Sequence, residues 1–104
     1  MKLVEIESPY AGDVEENVEY ARQCVADSLS RGEAPIASHI LYTQEGILDD
    51  DIPKERDLGI EAGKAWAVHA DLTAVYVGMG ITRGMIRGIL HAQNHGRAVE
   101  FRTL

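Results

Sequence analysis

The sequence predicts an α/β fold: one small doubly wound parallel sheet of about four strands, in the order 2-1-3-4, with helices on both faces. Three observations predict it. Leu72-Thr73-Ala74-Val75-Tyr76-Val77 is β-branched, aromatic and uncharged, the pattern of a central parallel strand covered on both sides. That run breaks at Gly78-Met79-Gly80, and Thr82 then opens a stretch whose Met85, Ile86, Ile89, Leu90 and Gln93 share one helical face. Short apolar segments also alternate with longer helical ones along the whole chain, without repeats or low-complexity linkers.

The elements follow in order. Residues 2 to 7 read as a first strand, closed by Ser8-Pro9-Tyr10-Ala11-Gly12. Asp13, with Glu16 three positions on, is a capping-box-like helix start, and Val14, Val18, Ala21, Val25 and Leu29 make an apolar stripe ending near Gly32. Ala34 to about Tyr42 is expected to be a second strand, which Pro35 limits to an edge or makes start late, and which suits an outer position. Thr43 to Asp51 is a polar loop whose last aspartate is placed to cap a helix from Pro53 to His69, with Leu58, Ala62, Ala65, Trp66 and His69 inward. The strand at 72–77 and the helix after Thr82 come next. Asn94-His95-Gly96 stops that helix, and Arg97 to Phe101 is the last strand. Right-handed crossovers then fix the order, and residues 1–104 are read as a single domain.

Composition narrows the partners. The 104 residues carry a net charge of −7, which disfavours a polynucleotide backbone or an anionic membrane as partner. A small anion remains compatible, because arginines and helix N-termini bind phosphate locally. The lone Cys24 excludes an internal disulfide and a cysteine-rich zinc site, and fits a cytoplasmic location. The acidic residues at Glu5 and Glu7 come too early for a signal peptide, and no apolar run reaches membrane-spanning length. No metal site and no cofactor are expected: His91 and His95 stand four apart, but without a third ligand nearby.

In the order 2-1-3-4 the chain reverses direction between the first and third strands, and ligands bind beyond the carboxyl ends of the strands at such a switch point. The loops meeting there are Ser8 to Asp13 and Gly78 to Arg83. The candidate ligand-binding residues are therefore Ser8, Tyr10, Gly12, Asp13, Gly78, Met79, Gly80, Thr82, Arg83, Gly84 and Met85, joined by His39. Tyr10 is the candidate for stacking on a base, and Arg83 in a helix's first turn suits a nearby anion.

The same residues carry a resemblance. Ser8-Pro9-Tyr10 with Gly12-Asp13, Pro35-Ile36-Ala37 with His39, Asp49-Asp50-Asp51, Gly59, Ala70-Asp71 and Thr82-Arg83-Gly84-Met85 together resemble the small nucleoside 2-deoxyribosyltransferase-like proteins of phages and prophages. The resemblance spans nearly the whole chain. It implies a Rossmann-like fold, a homodimer or larger oligomer, and a superfamily chemistry in which a glutamate attacks the anomeric carbon of a nucleoside or nucleotide. On this chain the nucleophile position is Gly88, which has no side chain to attack with.

The missing glutamate directs the functional expectation toward binding a nucleotide or nucleotide-derived signalling molecule without turnover, as in phage counter-defence by sequestration. Glu5 and Glu7 on the first strand are the candidates for a relocated carboxylate, Glu7 first because it lies nearer the carboxyl end, and either would make the protein an N-glycosidase or transferase. A structural oligomer with a vestigial pocket is the third reading. The pairs Gly59/Gly63 and Gly84/Gly88 offer flat strips for close helix packing, within the subunit or against a second copy.

Overall fold

The computed structural model describes residues 1–104. The elements are β1 (Leu3–Glu7), α1 (Val14–Ser30), β2 (Ala34–Ile36), α2 (Ser38–Leu41), α3 (Pro53–Ala67), β3 (Leu72–Tyr76), α4 (Arg83–Asn94) and β4 (Ala98–Arg102). All four strands are parallel, in the order β2-β1-β3-β4. The register sets Val4 beside Leu72, Glu5 beside Thr73, Ile6 beside Ala74 and Glu7 beside Val75. Since side chains alternate across a strand, the sheet acquires two chemically different faces.

The α1 face is the core. Val4, Ile6, Leu72, Ala74 and Tyr76 pack with Cys24, and Tyr20 and Val25 close over them. The helix begins as its sequence dictates, with Asp13 Oδ1 accepting the Glu16 amide at 3.1 Å. Asn17, buried one turn in, donates to the carbonyls of Tyr10 and Ala11 at 2.9 and 3.1 Å and so pins the β1–α1 loop. At the edge of this face the Arg102 guanidinium grips the Glu33 carboxylate at 2.7 and 2.8 Å and donates to Tyr76 Oη, whose hydroxyl donates to Asp27 at 2.7 Å. These contacts hold the Glu33 carboxyl near 2, well below its usual range, and Asp27 is lowered by the Tyr76 hydrogen bond.

The opposite face carries Glu5, Glu7, Thr73 and Val75 beneath α3 and α4. Thr82 caps α4 by accepting the Met85 amide at 3.3 Å, and Met85 and Ala92 are the residues of that helix that become buried.

Four local expectations are corrected. The second strand stops at Ile36 instead of running to Tyr42, and the chain coils into α2. Ser38, the first residue of that turn, donates to the Glu5 carboxyl at 2.9 Å, a contact that a continued edge strand would not make. On α3 the inner face is Gly59, Gly63 and Ala67, while Leu58 and Trp66 are 60% and 56% exposed. The reason is steric: a Cβ on Gly63 would lie 2.7 Å from Ser38 Oγ and one on Gly59 3.2 Å from Leu48 Cδ1, so α2 and its loop occupy the space that side chains would need. The apolar stripe of α4 is likewise split, with Ile86 and Leu90 46% and 51% exposed. Finally, α3 is entered through Ile52 without a side-chain cap; the acidic loop folds on itself, with Asp49 Oδ1 accepting the Asp51 amide and Glu55 accepting the Asp49 amide.

Candidate functional site

Between the polar face of the sheet and the helices α3 and α4 lies a cavity of about 180 Å³. That exceeds the roughly 150 Å³ that takes up a benzene ring in an engineered cavity. Its floor is β1. Glu5 and Glu7, two residues apart on one strand, project from the same face into it.

Burial alone would make two such carboxyls costly, and their surroundings only partly compensate. Glu5 accepts from Ser38 Oγ and feels Arg97, yet burial raises its carboxyl to about 7. Glu7 is raised to about 8, by burial first and then by the neighbouring Glu5, with Arg97 opposing. No hydrogen bond holds the Glu7 carboxyl. The two therefore behave as a pair that retains protons near neutral pH, the state in which one carboxyl donates while the other is ionised.

Glu7 is wedged against α4. A Cβ placed on Gly88 would lie 2.3 Å from Glu7 Oε2, 2.4 Å from its Cδ and 2.6 Å from Oε1. The carboxyl thus fills the volume that a side chain at position 88 would enter. Gly88 is neither a helix-packing strip nor a vacancy: it is the room in which Glu7 sits.

Around this pair the cavity gathers groups from several elements. His39 shares a 2.8 Å hydrogen bond with Ser8 Oγ, and burial depresses its imidazole to about 4, so it is neutral. Arg97, just before β4, donates through Nε to Thr73 Oγ1 at 2.9 Å and through Nη2 to His91 Nδ1 at 3.3 Å. Lys64 and Arg87 contribute from α3 and α4.

Of the sequence candidates, Ser8, Tyr10, His39, Gly84 and Met85 line this cavity together with Glu7. Gly12, Asp13, Gly78, Met79, Gly80, Thr82 and Arg83 do not. Asp13 and Met79 border a separate shallow depression with Glu15, Glu16 and Glu19, Gly78 donates its amide to Tyr20 Oη, and Thr82 is spent on its cap. The expected anion site at the helix starts is therefore not part of the cavity. The residues missed were Ser38, Lys64, Arg87, His91 and Arg97 in their joint role with Glu5 and Glu7. One sign of them was available: carboxylates at 5 and 7 alternating with Val4 and Ile6 on a strand expected to be covered on both faces.

Comparison with known proteins locates this architecture. Residues 2–102 match the family described as a domain of unknown function, DUF7768. The chain belongs to that family. No curated protein matches this DUF7768 chain. Among solved structures it is similar to the CMP N-glycosidase BcmB of Clostridium botulinum, with a TM-score of 0.51 and 15% identity over 98% of this chain and 69% of that one. At that identity the likeness is one of fold.

Proposed function

We propose that this protein acts on the N-glycosidic bond of a nucleoside or nucleotide bound in the cavity, with Glu7 as the carboxyl facing the anomeric carbon and Glu5 as the partner with which it shares a proton. One observation carries the reading: the Glu7 carboxyl occupies the space over Gly88, where the resemblance in sequence places a nucleophilic glutamate. The fold shared with a nucleotide N-glycosidase supports it.

The chemistry follows from the pair. The ionised member attacks or stabilises C1′ as the bond to the base breaks, and the proton retained by the other goes to the departing base nitrogen. Water then takes the sugar from the carboxyl and returns a proton to the pair. Raised carboxyls serve this because an acid must still hold its proton at working pH. Tyr10 at the cavity wall offers a ring to the base, and neutral His39 with Ser8 offers hydrogen bonds to sugar hydroxyls.

The test is chromatographic detection of free base from a panel of nucleosides and their 5′-monophosphates. Release in step with enzyme concentration is expected, falling by about 10²-fold or more in Glu7→Gln. Release unchanged in Glu7→Gln would remove Glu7 from the reaction. The second reading, sequestration of an intact nucleotide, rests on the absence of a side chain at Gly88. It is the outcome if a ligand that stabilises the protein is recovered unaltered after denaturation.

A further inference from the structure

Four of the chain's ten Lys and Arg residues, Arg56, Lys64, Arg87 and Arg97, line this one cavity in a protein whose net charge is −7. Three of them surround His91. Arg97 reaches its ring directly, and Lys64 is close enough that its charge, with those of His95 and Arg97, helps burial to lower the His91 imidazole. Arg87 stands one helical turn before His91 on α4, on the same side.

The His91 ring has a fixed orientation of its proton. A guanidinium only donates, so Nδ1 must accept from Arg97 Nη2 and the proton of the neutral ring lies on Nε2. Arg97 itself is anchored by Thr73 and makes no direct ion pair with a carboxylate. What this corner presents is a guanidinium held in place, an imidazole N–H, and a flexible ammonium and guanidinium from the two helices. The members that line the cavity are all donors; Glu61, 73% exposed and outside the lining, pairs with Lys64 Nζ at 3.7 Å.

We infer that Arg97, His91, Lys64 and Arg87 form an anion subsite for the 5′-phosphate of a nucleoside monophosphate whose anomeric carbon lies against Glu7. The placement fits the strand register. Arg97 precedes Ala98, which pairs with Leu72, while Thr73 pairs with Glu5, so the subsite lies toward the Glu5 end of β1. Glu7 is two residues, about 6.6 Å, further along. That span suits a furanose carrying its 5′-phosphate. The acidic wall residues Asp50 and Glu55 enter from the other end of α3, about 13 Å along the helix from Lys64 in the case of Glu55. Burial raises the nearby Glu5 and Glu7 carboxyls, and a pair that shares a proton repels an anion less than two carboxylates would. The inference rests on the proposed N-glycosidic reading for the position of the sugar, but the phosphate contacts stand on their own residues.

The experiment compares nucleosides, their 5′-monophosphates and inorganic phosphate as ligands of the full chain, by calorimetry and by base release, in wild type and in Lys64→Gln/Arg87→Gln. Arg87 is exposed and the Lys64 side chain is 41% exposed, so neither substitution opens the core. Wild type is expected to bind a 5′-monophosphate at least tenfold more tightly than its nucleoside, and the variant to close that gap to about twofold. A gap that persists in the variant, or no gap in wild type while base is released, overturns the subsite and leaves the catalytic reading intact. A gap that closes in the variant without any base release supports the subsite and removes turnover. Inorganic phosphate binding as tightly as any monophosphate would overturn the assignment to a nucleotide. No binding by any of the three removes both proposals.

Discussion

Adding a single methyl group at Gly88 tests the arrangement on which the site depends. An alanine Cβ would stand 2.3 to 2.6 Å from three carboxyl atoms of Glu7, so the carboxyl has to withdraw by about 1 Å to regain ordinary contact. Overpacking of this kind costs about 1–3 kcal/mol, toward the lower figure if the carboxyl swings into the cavity. Against that, Gly→Ala inside a helix gains about 1 kcal/mol. In wild type the two effects leave a net loss of up to about 2 kcal/mol. In a Glu7→Ala background only the gain remains. Urea denaturation of wild type, both single variants and the double variant should therefore give a coupling of about 1–3 kcal/mol, with the Gly88→Ala effect changing sign between backgrounds. By thermal melting the loss corresponds to about 4–8 °C per kcal/mol for a domain of this size. Gly88→Ala stabilising wild type as much as it stabilises Glu7→Ala would refute the contact. The same geometry means that Gly88→Glu alone has no room, whereas Glu7→Ala/Gly88→Glu brings a carboxyl to the same place from the helix.

Two further outcomes follow. Because the Glu5 and Glu7 carboxyls are raised to about 7 and 8, the unfolded chain releases their protons first, and stability present below about 4.5 is lost as pH rises toward those values. His39, depressed to about 4, acts in the opposite sense below about 6.5, so the window that isolates the pair is pH 6.5 to 8. Melting temperature should fall across it in wild type and fall less in Glu7→Gln; parallel profiles would mean that Glu7 is ionised throughout. On the other face, Arg102→Met leaves the Glu33 carboxylate without its partner and should cost about 3–5 kcal/mol by denaturant titration, whereas a loss under about 1 kcal/mol would show the pair to be dispensable.

The fold was legible where local chemistry decides it. Asp13 and Thr82 cap the helices that their sequence neighbourhoods announce, the uncharged run from Leu72 becomes a central strand, and the strand order follows from crossover handedness. What was not legible depends on partners distant in sequence. Ala34 to Tyr42 has the composition of a strand, but Ser38 is drawn to Glu5, 33 residues away, and the backbone coils. The glycines of α3 hide its inner face from any reading by hydrophobicity, since Gly59 and Gly63 mark the contact by lacking side chains while Leu58 and Trp66 advertise the wrong side. For the site, Gly88 was identified as the departure and Glu7 as a candidate, but their contact joins a strand to a helix 81 positions later and no spacing rule connects them. The cations were scattered over α3, α4 and the start of β4, and only the closing of the sheet gathers them.

The contact between Glu7 and Gly88 also constrains how this chain can change. Moving a carboxyl from the helix to the strand takes two substitutions, and either order passes through an intermediate with two acidic groups competing for one space or with none at all. The first intermediate is strained and the second lacks the carboxyl that the proposed reaction needs. A pair so coupled changes together or stays as it is, so in sequences related to this one a side chain at the helix position should coincide with a small residue at the strand position.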